Sequence, residues 1–99
     1  MSAYVISEVE ILDEDLGQRY RELAAASIAR HGGRYVVRGA SPDVPEGEWP
    51  RAQRVVVVEF PSMAQLREWY DSDDYAEALA VSRTALTRRL LFVDGIAPV

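Results

Sequence analysis

The chain has 99 residues, of which 48% are hydrophobic and 27% are charged, and these values predict one globular domain over residues 1–99. Sixteen acidic residues against eleven basic ones give a net charge of −5, which argues against a nucleic-acid partner, because such binding needs clustered positive charge. All the basic residues are arginines and there is no cysteine, so lysine Schiff-base chemistry, thiol nucleophiles and disulfides are excluded.

Hydropathy and the N-terminal residues indicate where the protein acts. The first residues lack the basic and apolar regions of a signal peptide, and no apolar run approaches the ~20 residues of a membrane span. We therefore expect a cytoplasmic protein without a membrane partner. Because His31 is the only histidine, one chain cannot build a multi-histidine zinc site, and we expect neither a metal nor a cofactor.

The first half of the chain predicts a strand, a helix and two further strands. Apolar and polar residues alternate over residues 3–12, and acidic residues then open an amphipathic helix over residues 14–30. Two strands follow at residues 34–40 and 53–60. The loop over residues 41–51 holds three prolines and is therefore expected to be irregular.

The second half predicts a broken helix and a last strand. Ser62 caps a short helix that ends near residue 70, and Ser72 caps the next one. The last strand is predicted at residues 88–94. The inward stripe of the second of these helices is expected to consist of Tyr75, Leu79, Ser82 and Leu86.

This order of elements predicts an α+β, ferredoxin-like split βαβ fold (βαββαβ) with a four-stranded antiparallel sheet and helices on one face. The continuous apolar run at residues 55–58 predicts a strand that is buried on both faces. We therefore expect a second copy of the chain to cover the helix-free face and form a homodimer, a dimeric α/β barrel. The residues expected on or near that face are Val55, Val57, Ile6, Leu90 and Phe92.

A series of short motifs runs along residues 4–95. They are His31-Gly32-Gly33-Arg34-Tyr35, Val37-Arg38-Gly39, Glu46-Gly47, Trp49-Pro50, Glu59-Phe60-Pro61-Ser62, and Trp69-Tyr70-Asp71-Ser72 with Tyr75. Taken together, they resemble the family catalogued as domain of unknown function 1330. The resemblance implies a ferredoxin-like protomer of the dimeric α/β-barrel superfamily and brings no activity with it. Haem-degrading members of that superfamily use a histidine from the second helix, and no histidine follows Ser62 here, whereas metal-free monooxygenase chemistry needs only a dry pocket with a few polar groups.

His31 and Glu59 are the candidate catalytic residues. Histidine is the side chain whose charge changes near neutral pH, so His31 could act as a general base, although its place at a helix end also suits a simple C-cap. Symmetric pairing of the hairpin would set Arg34 opposite Glu59 and Arg38 opposite Val55. We expect that side, joined by Glu8, to face the barrel interior.

Two interpretations of these strand charges remain open. Arg34, Arg38 and Glu8 either bind a ligand, with Glu59 as the base, or form cross-strand ion pairs of ~0.2–1 kcal/mol each. Aromatic residues could likewise wall a pocket or serve core and interface packing. The remaining ligand-binding candidates are Trp49, Trp69, Tyr75 and Arg83.

The favoured hypothesis is a homodimeric small-molecule-binding protein, and possible metal-free enzyme, for a hydrophobic anionic or cyclic metabolite. The alternative is a non-catalytic dimeric module whose aromatic residues serve packing alone. A solvent-poor cavity lined by Arg38 and Glu59 would favour the first hypothesis, and a filled interior would favour the second.

Overall fold

The computed structural model describes residues 1–97. Seven elements follow the predicted order. They are β1 (Ala3–Ile11), α1 (Glu14–Arg30), β2 (Arg34–Ala40), β3 (Arg54–Phe60), α2 (Met63–Asp71), α3 (Asp73–Ala85) and β4 (Leu86–Asp94).

The four strands form one antiparallel sheet in the order β2-β3-β1-β4. The three helices cover one face of it, where Val5 of β1 and Val58 of β3 pack with Ala24 and Ile28 of α1. We name this side the helix face and the opposite side the open face. The arrangement is the ferredoxin-like fold, so the predicted fold class is confirmed.

Local capping explains where the helices begin. The side chains of Asp13, Ser62 and Ser72 each accept a hydrogen bond from the backbone N–H three residues further on, as N-cap residues do. The prediction for the last helix was wrong at its end. Leu86 is buried but opens β4, two residues earlier than expected, and Ala85 ends α3.

The hydrophobic core lies between the helices and the helix face. Trp69 is at its centre, with ring centroids 5.3 Å from Phe60 and 4.3 Å from Tyr75. The indole Nε1 donates a hydrogen bond to the Ser27 hydroxyl at 3.0 Å, so the one polar atom of this buried ring is satisfied. The aromatic residues clustered at α2 and α3 are therefore core residues.

The register of β4 corrects the predicted composition of the open face. Phe92 pairs with Val5 and Leu90 pairs with Ser7, so both lie on the helix face. Leu91 lies on the open face instead, opposite Ile6, because side chains of successive strand residues point to opposite sides of a sheet.

The register of β2 confirms one predicted pair and overturns another. Arg34 pairs with Glu59 as expected, but the register shifts between Tyr35 and Val37, so Arg38 lies opposite Val56 and not Val55. Such an irregularity moves the side chains that follow it, up to the next shift between Arg38 and Ala40, to the other face. Arg38 therefore lies on the helix face, whereas Arg34 lies on the open face. None of the helices within residues 1–97 is long and apolar enough to span a membrane.

Candidate functional site

A cavity of about 440 Å³ lies between α1 and the helix face of the sheet. It exists because the three helices leave part of that face uncovered towards β2. Its walls are mostly apolar and come from β1, β3, β4 and α1. The main apolar residues are Val5, Val9, Ile28, Val56, Val58 and Leu90.

One arginine reaches this apolar cavity from β4. Arg88 lies opposite Val9 on the helix face, and its NH1 and NH2 groups donate hydrogen bonds to the hydroxyls of Tyr20 (2.6 Å) and Tyr75 (2.9 Å). The two hydroxyls are 2.7 Å apart and share a further hydrogen bond. Helix α1 and helix α3 thus both hold the guanidinium in place.

The charge state of this cluster follows from its surroundings. Burial disfavours the charged form of Arg88, but the neighbouring Tyr20 and Tyr75 oxygens outweigh burial, so the pKa of Arg88 is raised. Burial, with a contribution from Tyr20, raises the pKa of Tyr75, which is therefore a neutral phenol. Arg88 forms no ion pair with any carboxylate of residues 1–97. The cavity therefore contains a half-buried cation whose protein partners are neutral.

The rim of the cavity at the edge of the sheet is polar. Arg38 is exposed there, with its guanidinium carbon 4.3 Å from the centroid of the Tyr35 ring, a cation–π contact. Burial raises the pKa of Tyr35, although the charge of Arg38 opposes the shift. Residues of both charge signs complete the rim, namely Arg21, Arg54 and Glu14.

Glu59, Arg34 and Glu8 lie on the open face, so the sheet separates them from the cavity. Arg34 donates to Glu59 from Nε at 2.7 Å and also approaches it with NH2 at 2.6 Å, and the Tyr4 hydroxyl donates to the same carboxylate at 3.1 Å. The Ser2 hydroxyl, Arg34 and Tyr4 together lower the pKa of Glu59. Glu8 pairs with Arg89 at 2.5 Å. Because its pKa is lowered, Glu59 is a weak proton acceptor.

Of the other predicted site residues, Trp69 lines the cavity, and the rest lie outside it. Nε2 of His31 is 3.1 Å from an oxygen of Asp74, which joins the end of α1 to the start of α3. The Trp49 indole donates to the Gln53 carbonyl at 3.0 Å and braces its own loop, and Arg83 is exposed on α3. Tyr75 is buried behind the cavity, where its hydroxyl accepts a hydrogen bond from the cavity-lining Arg88.

The two residues that do most to shape the polar end of the cavity, Tyr20 and Arg88, were not among the predicted site residues. A signal for Arg88 is present in the sequence. Leu86, Arg88, Leu90 and Phe92 alternate along β4, and an arginine within an inward-facing series needs a reason to be there. Tyr20 gave no such signal, because a tyrosine on the buried stripe of a helix usually serves packing.

Comparisons with known proteins agree with this architecture. The model of the family described as Domain of unknown function (DUF1330) matches residues 2–96. A search of curated proteins gives no match.

Solved structures extend the comparison. A protein of unknown function from Rhodopseudomonas palustris has a TM-score of 0.79 at 19% identity, covering 98% of this chain and 84% of that chain. A cofactor-independent oxygenase from Streptomyces nogalater has a TM-score of 0.69 at 11% identity, covering 98% of this chain and 95% of that one. A protein from Mycobacterium tuberculosis has a TM-score of 0.64 at 20% identity, covering 99% and 98% respectively. At these identities the likeness is one of fold.

Proposed function

The chain belongs to the family described as Domain of unknown function (DUF1330), whose description assigns no activity, and we propose a function from the cavity itself. The protein binds a hydrophobic anionic or cyclic metabolite between α1 and the helix face of the sheet, and it does so as a homodimer. Arg88 is the charged anchor for the ligand. Trp69 and the valines of the sheet are the apolar wall.

The observation that carries this proposal is the half-buried guanidinium of Arg88, which donates to two phenols and forms no ion pair with a carboxylate of residues 1–97. Removing a charge from water is costly unless an opposite charge or several hydrogen bonds compensate it. An anionic ligand would supply that charge. The volume of about 440 Å³ is within the usual range of small-molecule pockets, and the apolar walls suit a ligand with a hydrophobic body.

The cavity also weighs against the alternative, a dimeric module with aromatic residues that serve packing alone. Such a module has no need of an apolar cavity that receives an arginine. The cavity differs from the one anticipated, since it is lined by Arg38 but not by Glu59.

We further propose that the protein catalyses a metal-free reaction on the bound ligand. The likeness in fold to the Streptomyces nogalater protein, which is described as a cofactor-independent oxygenase, supports it. Oxygen uptake with a panel of hydroquinones would test this part, with the Arg88→Gln variant as the comparison. Uptake no faster than in buffer for the whole panel would remove the enzymatic part and leave ligand binding in place.

Binding is best tested with two fluorescent probes of similar shape, anionic 8-anilinonaphthalene-1-sulfonate and neutral N-phenyl-1-naphthylamine. The Arg88→Gln variant should weaken the anionic probe by about 2 kcal/mol or more, which is roughly 30-fold, because a charged hydrogen bond is lost. The neutral probe should be little affected. Arg89→Gln is a matched control, because it changes the net charge equally on the open face of the same strand.

Two results would refute the binding proposal, provided that circular dichroism shows both variants folded. One is equal affinity of the native protein for the two probes. The other is an equal effect of Arg88→Gln and Arg89→Gln on the anionic probe. The exposed Arg38→Ala variant should weaken the anionic probe less than Arg88→Gln does, because its charge is better screened by water.

The homodimer is proposed from the chemistry of the open face. Leu91 is 42% exposed and Val93 is 38% exposed, next to Ile6 and Val57 in the register of the sheet. The ion pair Arg34–Glu59 flanks this apolar centre on β2 and β3, and the ion pair Glu8–Arg89 flanks it on β1 and β4. Each side of the face therefore carries one positive and one negative side chain. A twofold axis could therefore set each face against an identical one without bringing a surface of a single charge sign against itself.

A further inference from the structure

The polar end of the cavity has more hydrogen-bond donors than acceptors, and the surplus indicates the class of ligand. We infer that Ser7, Tyr20 and Arg88 together form a carboxylate-binding centre, so that the ligand is a carboxylic acid with an apolar body. This inference rests on the proposed function, because the centre lies in the same cavity.

The first part of the argument is the count of phenolic hydrogens. Arg88 donates to both phenol oxygens, and the two hydroxyls share one hydrogen between them. Whichever tyrosine donates to the other, one phenolic hydrogen has no acceptor in the cluster. Tyr75 is fully buried and does not line the cavity, whereas Tyr20 does line it. The arrangement that leaves no hydrogen stranded in the core has Tyr75 donating to Tyr20 and Tyr20 donating into the cavity.

The second part is a serine on β1. Ser7 is only 6% exposed, it lines the cavity, and its hydroxyl makes no hydrogen bond with another of residues 1–97. Ser7 lies opposite Leu90, and Val9 lies opposite Arg88, so Ser7 and Arg88 are diagonal neighbours on the helix face. No fully buried side-chain oxygen or nitrogen within residues 1–97 lacks a hydrogen-bond partner, so the Ser7 hydroxyl is open to the cavity, where a ligand oxygen would accept its hydrogen bond.

The third part is the match between these donors and a carboxylate. A guanidinium carries five N–H groups, and Arg88 uses two of them on the phenols. The other three, with the hydroxyls of Tyr20 and Ser7, can donate to a ligand in the cavity. A carboxylate offers two oxygens with about four lone-pair sites and one negative charge, which equals the single charge of Arg88. An amide of the same shape offers one acceptor oxygen and brings unwanted donors.

The test uses two isosteric probes, 2-naphthoate and 2-naphthamide, titrated by calorimetry into the native protein and five variants, one of which is Arg88→Gln. The native protein should bind the naphthoate and discriminate against the amide. Ser7→Ala and Tyr20→Phe should each weaken the naphthoate by about tenfold or more, the usual effect of losing a hydrogen bond to a charged group. Tyr75→Phe should weaken it less than Tyr20→Phe does.

Ser82→Ala is the matched control for the serine. It removes another buried serine hydroxyl, one that donates to the Leu79 carbonyl within α3 at 2.6 Å and does not line the cavity. This control should leave the affinity for naphthoate within about twofold of the native value, as expected of a change away from the ligand.

The possible outcomes separate the two proposals. Equal binding of the two naphthalene probes would overturn the carboxylate centre. The carboxylate centre would also be overturned if Arg88→Gln weakened naphthoate binding while Ser7→Ala and Tyr20→Phe both left it unchanged. In that case the proposed function would survive. Failure of both naphthalene probes and of the anionic sulfonate probe to bind would overturn the proposed function as well. If Tyr20→Phe does not fold, Ser7→Ala decides the matter, because it removes one atom and leaves the packing intact.

Discussion

Trp69→Ala should be among the most damaging single substitutions in this protein. The side chain is 2% exposed and packs against Phe60, Tyr70 and Tyr75, with ring centroids 4.3–6.0 Å away. Through its Nε1 it also hydrogen-bonds Ser27 of α1, so one ring connects α2, α1, α3 and the sheet. Few neighbouring groups can move to fill the space that the substitution would leave.

The expected loss can be worked from these contacts. Removing a buried tryptophan side chain costs about 3–5 kcal/mol, and each aromatic pair contributes ~0.5–1.5 kcal/mol beyond the area that it buries. The Ser27 hydroxyl would remain satisfied, because it donates to the Ala24 carbonyl at 2.9 Å. We therefore expect a loss of about 4 kcal/mol or more, against a total stability of roughly 5–15 kcal/mol for a small domain.

Trp49→Ala is the matched control, because it removes the other tryptophan of the chain. Trp49 is half-buried in the loop between β2 and β3 and makes one hydrogen bond, to the Gln53 carbonyl. Its loss should cost about 1 kcal/mol. Urea denaturation followed by circular dichroism gives both free energies of unfolding. Equal losses for the two variants would refute the assignment of Trp69 to the core and of Trp49 to the surface loop.

Two further predictions concern the open face. The pKa of Glu59 is lower in the folded protein than the ordinary carboxyl value of about 4.3, so ionised Glu59 stabilises the fold. This stabilisation is complete above the ordinary value and is lost as the pH falls through the lowered one. Glu59→Gln should therefore lower the melting temperature at pH 7 but not at pH 2, and a difference that stays constant with pH would contradict this reasoning. Leu91→Glu should convert a dimer into a folded monomer in sedimentation experiments, whereas Leu12→Glu, at a position 57% exposed beyond the end of β1, should not. A native protein that is monomeric at micromolar concentration would exclude the dimer.

Local chemistry determined most of the secondary structure. The caps at Asp13, Ser62 and Ser72 and the alternation along β1 act over a few residues, so they can be read without knowing the fold. The pairing of Arg34 with Glu59 was also predictable, because it precedes the first irregularity in β2. The order of elements, with right-handed crossovers, then led to the ferredoxin-like sheet.

Only the tertiary structure decided where the candidate site lies. The register shift beyond Tyr35 moved Arg38 to the helix face, and a shift of that kind depends on how two strands fit each other and not on either sequence alone. Both faces of the sheet carry apolar residues, so hydrophobic periodicity could not tell the covered face from the open one. The site was expected on the open face, whereas the cavity lies on the helix face. The cavity exists because the helices cover the sheet incompletely, and Tyr20, Tyr75 and Arg88 meet there from α1, α3 and β4 across as many as 68 positions in the chain. Contacts over that separation depend on packing, which local sequence patterns do not encode.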